Sequence, residues 1–321
     1  MKWKLFITVC ICFCFCKDVA SEAPAAAISN GLIQTKLYLP DAEGGYYQGT
    51  RFDWSGNIAE LEYSGHQYFS QWFPKYYPTL HEAILGPADC FDVIGFEQAE
   101  VGGEFLRIGV GGLKKENNQE HSDFILYPIS NPGKWTVTTS DDHVVFSHEI
   151  NDVAGYSYIY TKIVRLTKGK PEMVLEHTLK NMGKKTIKTE AFNHNFFTID
   201  REPTGPNVQI RFPFEVSGRW NRESNPAVIE DNSFKYTRLL RASETVYMNE
   251  VQGHTKSVKD YDFRIENTKT NAGVRITCDR PFSKLVFWAS STTSCPEPYI
   301  DVHVLPEEQF SWTNTYEFYT F

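Results

Sequence analysis

The stretch His143-Val144-Val145-Phe146-Ser147-His148-Glu149-Ile150 sets Val144, Phe146, His148 and Ile150 on one face and Val145, Ser147 and Glu149 on the other. A period of two belongs to an extended strand, and the mixed second face marks one that is only half buried. Working outward, the pattern recurs. Asp260 to Glu266 sets Tyr261, Phe263 and Ile265 against Asp262, Arg264 and Glu266, and Gly273 to Asp279 sets Val274, Ile276 and Cys278 against Arg275, Thr277 and Asp279. Near the C-terminal end, Phe310, Trp312, Tyr316 and Phe318 share one register. Turn residues punctuate these runs at Pro132-Gly133, Lys168-Gly169-Lys170-Pro171, Asn181-Met182-Gly183, Pro203-Thr204-Gly205-Pro206 and Asn271-Ala272-Gly273. Helical periodicity never exceeds two or three turns, and Asp89 to Ala99 is the one segment that fits a short helix. The expected fold is all-β: one large antiparallel sandwich domain, residues 28–321, with no linker and no repeat of 20–50 residues dividing it.

Composition narrows the class. Among 321 residues, 23 Phe, 17 Tyr and 7 Trp supply too much apolar surface for a disordered chain. With 32 basic against 40 acidic residues and a net charge of -8, the chain lacks the basic footprint of a nucleic-acid binder. Met1-Lys2-Trp3-Lys4 followed by an apolar run from Leu5 to Cys16 reads as a secretory signal, too short to span a bilayer. Cleavage is expected near Ala25-Ala26-Ala27, giving a signal peptide of residues 1–27, with Ala20 as a second site. The protein is therefore expected to be exported, periplasmic or extracellular. Four of its seven cysteines (Cys10, Cys12, Cys14 and Cys16) lie in that segment, which leaves a lipid anchor open although Phe13 and Phe15 precede Cys14 and Cys16. The chain has no Asn-x-Ser/Thr acceptor, in keeping with a bacterial source. Cys90, Cys278 and Cys295 remain, too few for a disulfide framework; a Cys278–Cys295 bridge and unpaired core thiols are both open.

Chemistry concentrates in Glu190-Ala191-Phe192-Asn193-His194-Asn195-Phe196-Phe197. Aromatic rings stack on sugars, amides bond hydroxyls, and an imidazole moves a proton, so a histidine in this company suits a carbohydrate site. The same composition also fits a histidine satisfied inside an aromatic core. Arg51, Asp53 and Trp54 form a second cluster of donor fork, acceptor and stacking plate, or else a pair pinning a turn. Gln71-Trp72-Phe73 with Tyr76 and Tyr77 could form a stacking rim. His148 and His177, in register with apolar neighbours, read as core histidines. Gly109-Val110-Gly111-Gly112 brackets a strand rather than opening a helix, so it is no nucleotide loop.

A strand, an Asn-x-Gly turn at Asn181-Met182-Gly183, a second strand and then Asn193-His194-Asn195-Phe196-Phe197 resembles the aldose 1-epimerase (galactose mutarotase-like) superfamily. Ser294-Cys295-Pro296-Glu297-Pro298, following Lys284-Leu285-Val286-Phe287-Trp288, is similar to that family's late strand with its catalytic glutamate. Leu305-Pro306-Glu307-Glu308-Gln309 resembles its turn into the last strand, with Glu where Gly is common. Gly49-Thr50-Arg51-Phe52-Asp53-Trp54-Ser55-Gly56 completes the likeness to an exported bacterial branch. The resemblance implies a β-supersandwich and an isomerase that interconverts sugar anomers, with His194 as general acid and Glu297 as base. It further implies Arg51, Asp53, Trp54, Asn193 and His81 around the substrate. His81, in Thr79-Leu80-His81-Glu82, lies near the family's early His-Gly motif but lacks the glycine. The resemblance implies a mono- or oligosaccharide substrate, no cofactor, no metal and a monomer. A non-catalytic carbohydrate-binding protein, or a polysaccharide hydrolase or lyase on the same scaffold, stands as the alternative.

Overall fold

The computed structural model describes residues 23–321. The expected signal segment, its four cysteines and the lipid anchor fall mostly or wholly within residues 1–22, outside the described residues. Ala25, Ala26 and Ala27 belong to a strand, Ala25–Ser29, paired with Ile33–Tyr38. Cleavage after Ala27 would remove three of its five residues, whereas cleavage after Ala20 would leave the strand whole.

Antiparallel strands dominate, joined among the described residues by two short 3-10 turns at Ile199–Arg201 and Val258–Asp260. A ten-stranded sheet runs, edge to edge, through Ala227–Glu230, Ser233–Tyr236, Val208–Arg211, Asp262–Asn267, Ala272–Cys278, Gln309–Thr320, Glu172–Asn181, Tyr156–Leu166, His143–Val153 and Lys134–Thr139. A five-stranded sheet runs through Val246–Met248, Lys284–Ala289, Ser294–Val304, Ile187–Phe196 and Gly86–Phe91. The opening alternation holds: Val144, Phe146, His148 and Ile150 are buried while Val145, Ser147 and Glu149 are half-buried. Trp312, Tyr316 and Phe318 are buried in the register expected of them.

The Asp89–Ala99 helix does not form. Gly86–Phe91 is instead a fully buried strand paired with Ile187–Phe196. What remains is a single turn beyond Gly95, closed by the Ala99 N–H donating to the Gly95 carbonyl at 3.0 Å. Tertiary demand wins over local pattern here, because the Asp89 carboxylate is committed inside the protein.

The five-stranded sheet is a middle layer. One face packs on the ten-stranded sheet through an aliphatic and aromatic core that includes Phe91, Ala191, Ile300, Val302, Leu175 and Tyr316. The other face packs on a second, aromatic-rich core with Phe52, Trp54, Trp72, Phe192, Phe196 and Cys295. Cys278 belongs to the first core and Cys295 to the second; with Cys90, they are free, buried thiols.

A charged cluster ties the layers together. Lys162, wholly buried, places Nζ 2.6 Å from Asp89 Oδ2 and 3.5 Å from Asp53 Oδ2, and donates to the Ser55 carbonyl at 3.0 Å. Burial opposes its charge, but the two carboxylates outweigh that and raise its pKa. Asp89 also binds His177 Nε2 at 3.0 Å and accepts from Asn193 Nδ2 at 3.0 Å. Burial pushes Asp89 up, yet Lys162 and His177 prevail and hold its carboxyl well below the usual range. Gly109, at a φ of +77°, leaves room for this cluster: a Cβ there would lie 2.5 Å from Asp53 Oδ1.

Replacing Lys162 by Met should strand two buried carboxylates and cost about 3–5 kcal/mol. Urea unfolding should show this as a lowered midpoint, and adding Asp89→Asn to the same chain should recover part of the loss.

Candidate functional site at the end of the middle sheet

Antiparallel pairing builds the site. Phe192 lies opposite Tyr299 and Ala191 opposite Ile300, so the same register carried onward sets His194 opposite Glu297. Their side chains meet, with His194 Nε2 3.1 Å from Glu297 Oε1. Period-two alternation turns Phe192, His194 and Phe196 toward the aromatic core, and Asn193 and Asn195 toward the ten-stranded sheet. His194 and Glu297 are 3% and 5% exposed, so the couple is closed off from water.

Rings enclose the imidazole. Phe196 stacks on it at 3.8 Å with 13° between planes, and Trp72 stacks in turn on Phe196 at 4.4 Å. Trp288 and Phe52 present edges at 5.4 and 5.9 Å. This apolar box acts on the two groups in opposite directions. Burial, with a smaller push from Arg51, holds the His194 pKa well below its ordinary value. Burial raises the Glu297 carboxyl to about 7, against the attraction of Arg51 and Lys284. His194 Nδ1 is buried without a partner, so the mobile proton of the couple lies along the Nε2–Oε1 line.

Arg51 is held beside them. Its guanidinium lies 4.7 Å from the Phe52 ring centroid and 5.1 Å from that of Phe124, and its Nε is buried without a partner. The wholly buried Arg107 fixes the backbone by donating to the Thr50 and Arg51 carbonyls at 3.0 and 2.9 Å. His81 packs edge-on against Phe124 at 5.2 Å, and burial together with Arg51 lowers its pKa. It therefore belongs to the Arg51 side of the site, with no contact to the His194–Glu297 couple.

Three residues expected at the substrate serve other ends. Asp53 is 1% exposed and bonded to Ser55, Tyr160 and Lys162, so it anchors the Arg51 segment from beneath. Trp54 is 2% exposed and donates its indole N–H to the Gly49 carbonyl at 2.8 Å, which makes it core. Asn193 faces the opposite layer, between Asp89 and the Tyr316 hydroxyl. The alternation of its own strand forces this, since a residue adjacent to an inward His194 must point the other way. Phe197 likewise joins the far core, while Trp72 and Phe196 stay at the site. Trp288, Lys284 and Tyr299 are site residues the sequence motifs did not single out. The signal was present: Val286 pairs with Glu297 and Trp288 with Cys295, so Lys284, Val286 and Trp288 share the Glu297 face.

Solved structures with this architecture are known. A galactose mutarotase-like protein from Clostridium acetobutylicum matches at 14% identity and TM-score 0.58, over 94% of this chain and 97% of that one. One from Lactobacillus casei matches at 11% identity and TM-score 0.54, over 92% and 100%. A GalM/aldose epimerase homologue from Caenorhabditis elegans matches at 14% identity and TM-score 0.52, over 93% and 99%. No protein-family model matches the sequence, and no curated protein matches it. At such identities the likeness is one of fold: the chain has the galactose mutarotase-like β-supersandwich architecture.

The raised Glu297 pKa has a stability consequence. A carboxyl shifted from 4.5 to about 7 stabilises the fold while protonated, and that contribution is lost as pH rises through about 7. Glu297→Gln should therefore gain about 3 kcal/mol relative to the parent at pH 8 and almost nothing at pH 4. Thermal melts at the two pH values should show the gap opening with alkalinity.

Proposed function

We propose that the chain is an exported, carbohydrate-active isomerase of the aldose 1-epimerase type, interconverting sugar anomers. The observation that carries this reading is the buried His194–Glu297 couple, 3.1 Å apart. Anomer exchange needs one base at the anomeric hydroxyl and one acid at the ring oxygen. Glu297 takes the hydroxyl proton while His194 gives a proton to the ring oxygen. The C1–O5 bond opens, the aldehyde turns, and the reverse transfers close the ring. No proton is gained or lost overall.

The couple stocks the proton that this exchange needs. With the imidazole lowered and the carboxyl raised, one mobile proton resides between them over a wide range below pH 7. Carboxylic acid with imidazole, and carboxylate with imidazolium, are two placements of that one proton; the second is the working one. Burial keeps it from being shared with water, and the entering sugar exchanges its own oxygens for the direct contact. Arg51 orients substrate oxygens and steadies charge at the ring, and Trp288, Trp72 and Phe196 give the sugar apolar walls. The sandwich of two carboxylates that a glycosidase uses is replaced here by one carboxylate and one imidazole, which favours isomerisation over hydrolysis. The export reading rests on residues 1–16 and on the small-residue sites that follow.

Anomer exchange, followed by NMR or polarimetry on free hexoses and uronates, should exceed the spontaneous rate. Glu297→Gln and His194→Gln should each lower it by roughly 10²–10⁴-fold. Binding that survives both changes, with no exchange in the parent, would sink the enzyme reading in favour of a binding protein. The pH profile is a separate check. Because Glu297 loses its proton near 7, the rate should be level in mild acid and fall about tenfold per unit above that point.

A further inference from the structure

Beyond the last ring of the aromatic box lies a cavity of about 240 Å³ whose walls are more apolar than polar, lined by Ser70, Gln71, Thr198, Arg201, Pro203 and Thr292. Its walls come from the same end of the middle sheet as the couple. Thr198 follows the His194 strand, four residues past His194, and Thr292 precedes the Glu297 strand, five residues before Glu297. Four residues of chain set the cavity at most about 14 Å from the couple. Thr292 Oγ1 donates at 2.7 Å to the carbonyl of Trp72, whose ring is the outer plate of the Trp72–Phe196–His194 stack.

A solvent-exposed cation, Arg201, stands at the edge of this cavity. The Arg201 side chain makes no hydrogen bond or ion pair among the described residues. Its neighbour Glu202 is already committed, 2.8 Å from Lys269 Nζ and 2.7 Å from Asn207 Nδ2. The backbone that carries Arg201 is unusual too. Asp200 and Arg201 both adopt left-handed conformations, at φ of 53° and 55°, which side-chain-bearing residues rarely adopt. Asp200 is clamped there by His66 Nδ1 at 2.8 Å, the Gln67 N–H at 3.0 Å and the Thr270 hydroxyl. Ser70 and Thr198 contribute hydroxyls to the same lining, their oxygens 2.8 Å apart.

We propose that this cavity is a second saccharide subsite, in which Arg201 binds an oxyanion carried by the sugar residue next to the one held at His194 and Glu297. The inference rests on the proposed carbohydrate function and deepens it: the substrate is an acidic oligosaccharide. Arg201 supplies a planar fork of donors that matches a carboxylate, and Ser70, Thr198 and Thr292 bond the ring hydroxyls beside it.

The test is calorimetric titration of the full chain with galacturonic acid, its dimer and the dimer's neutral methyl ester, in parent, Arg201→Ala and Arg201→Lys proteins. The parent should bind the acidic dimer roughly tenfold more tightly than the ester, and the preference should shrink with added salt. Arg201→Ala should abolish the preference while leaving monomer binding unchanged, and Arg201→Lys should restore part of it. Equal dimer and ester binding in the parent, or an Arg201→Ala effect as large on the monomer, overturns the subsite; if anomer exchange of the monomer persists, the isomerase reading stands without it. An Arg201-dependent preference in a protein with no exchange upholds the subsite and removes the isomerase. Binding of none of the three sugars overturns both.

Discussion

A single buried ammonium organises this molecule. Lys162 reaches from the ten-stranded sheet to Asp89 on the middle sheet and to Asp53 in the segment that leads from Arg51. Taking three charges out of water is costly, and their attraction repays that cost only at close range with every remaining lone pair satisfied. Tyr160, Ser55, His177 and Asn193 complete that satisfaction. The two layers and the Arg51 segment are therefore confined to one mutual placement, where an all-apolar interface would tolerate sliding. From Asn193 the constraint passes to the backbone of the strand whose other face displays His194.

Position and environment then divide the labour at the site. Sheet pairing sets the separation of His194 and Glu297, and the aromatic box sets their proton affinities. The opposite shifts have one origin. Burial disfavours whichever form is charged, so it drains the imidazole and loads the carboxyl. Arg51 contributes in the same sense at His194 and the opposite sense at Glu297. The outcome is a couple whose one mobile proton is drawn toward the carboxyl and away from the imidazole.

The fold class was legible in the sequence because the strands are long and half-exposed. In His143–Val153 and Ala272–Cys278, water on one face imposes polar residues and makes the period of two visible. Gly86–Phe91 is buried on both faces and carries no such contrast, which leaves Asp89–Ala99 to fit a short helix by local pattern alone. The meeting of His194 and Glu297 was legible because motif and chemistry coincide in them. Asp53, Trp54 and Asn193 misled for a physical reason: a sugar-binding composition and a satisfied polar interior draw on the same side chains. Only the side of the strand separates the two, and that is a fact of register. Trp288 and Lys284 were hidden because their role depends on a pairing between strands, which no local window contains.

The Tyr316 hydroxyl lies 2.9 Å from the amide oxygen of Asn193 and 3.1 Å from that of Asn195, bracketing the back of the His194 strand. Tyr316 belongs to Gln309–Thr320, which threads the centre of the large sheet between Ala272–Cys278 and Glu172–Asn181. Until that late strand inserts, the large sheet is two separate halves with raw edges, and the middle sheet has no seat. Assembly of the site thus waits on a strand far along the chain from the His194 strand it supports. Contacts so distant in sequence, such as those from Tyr316 to Asn193 and Asn195, predict slow, cooperative folding.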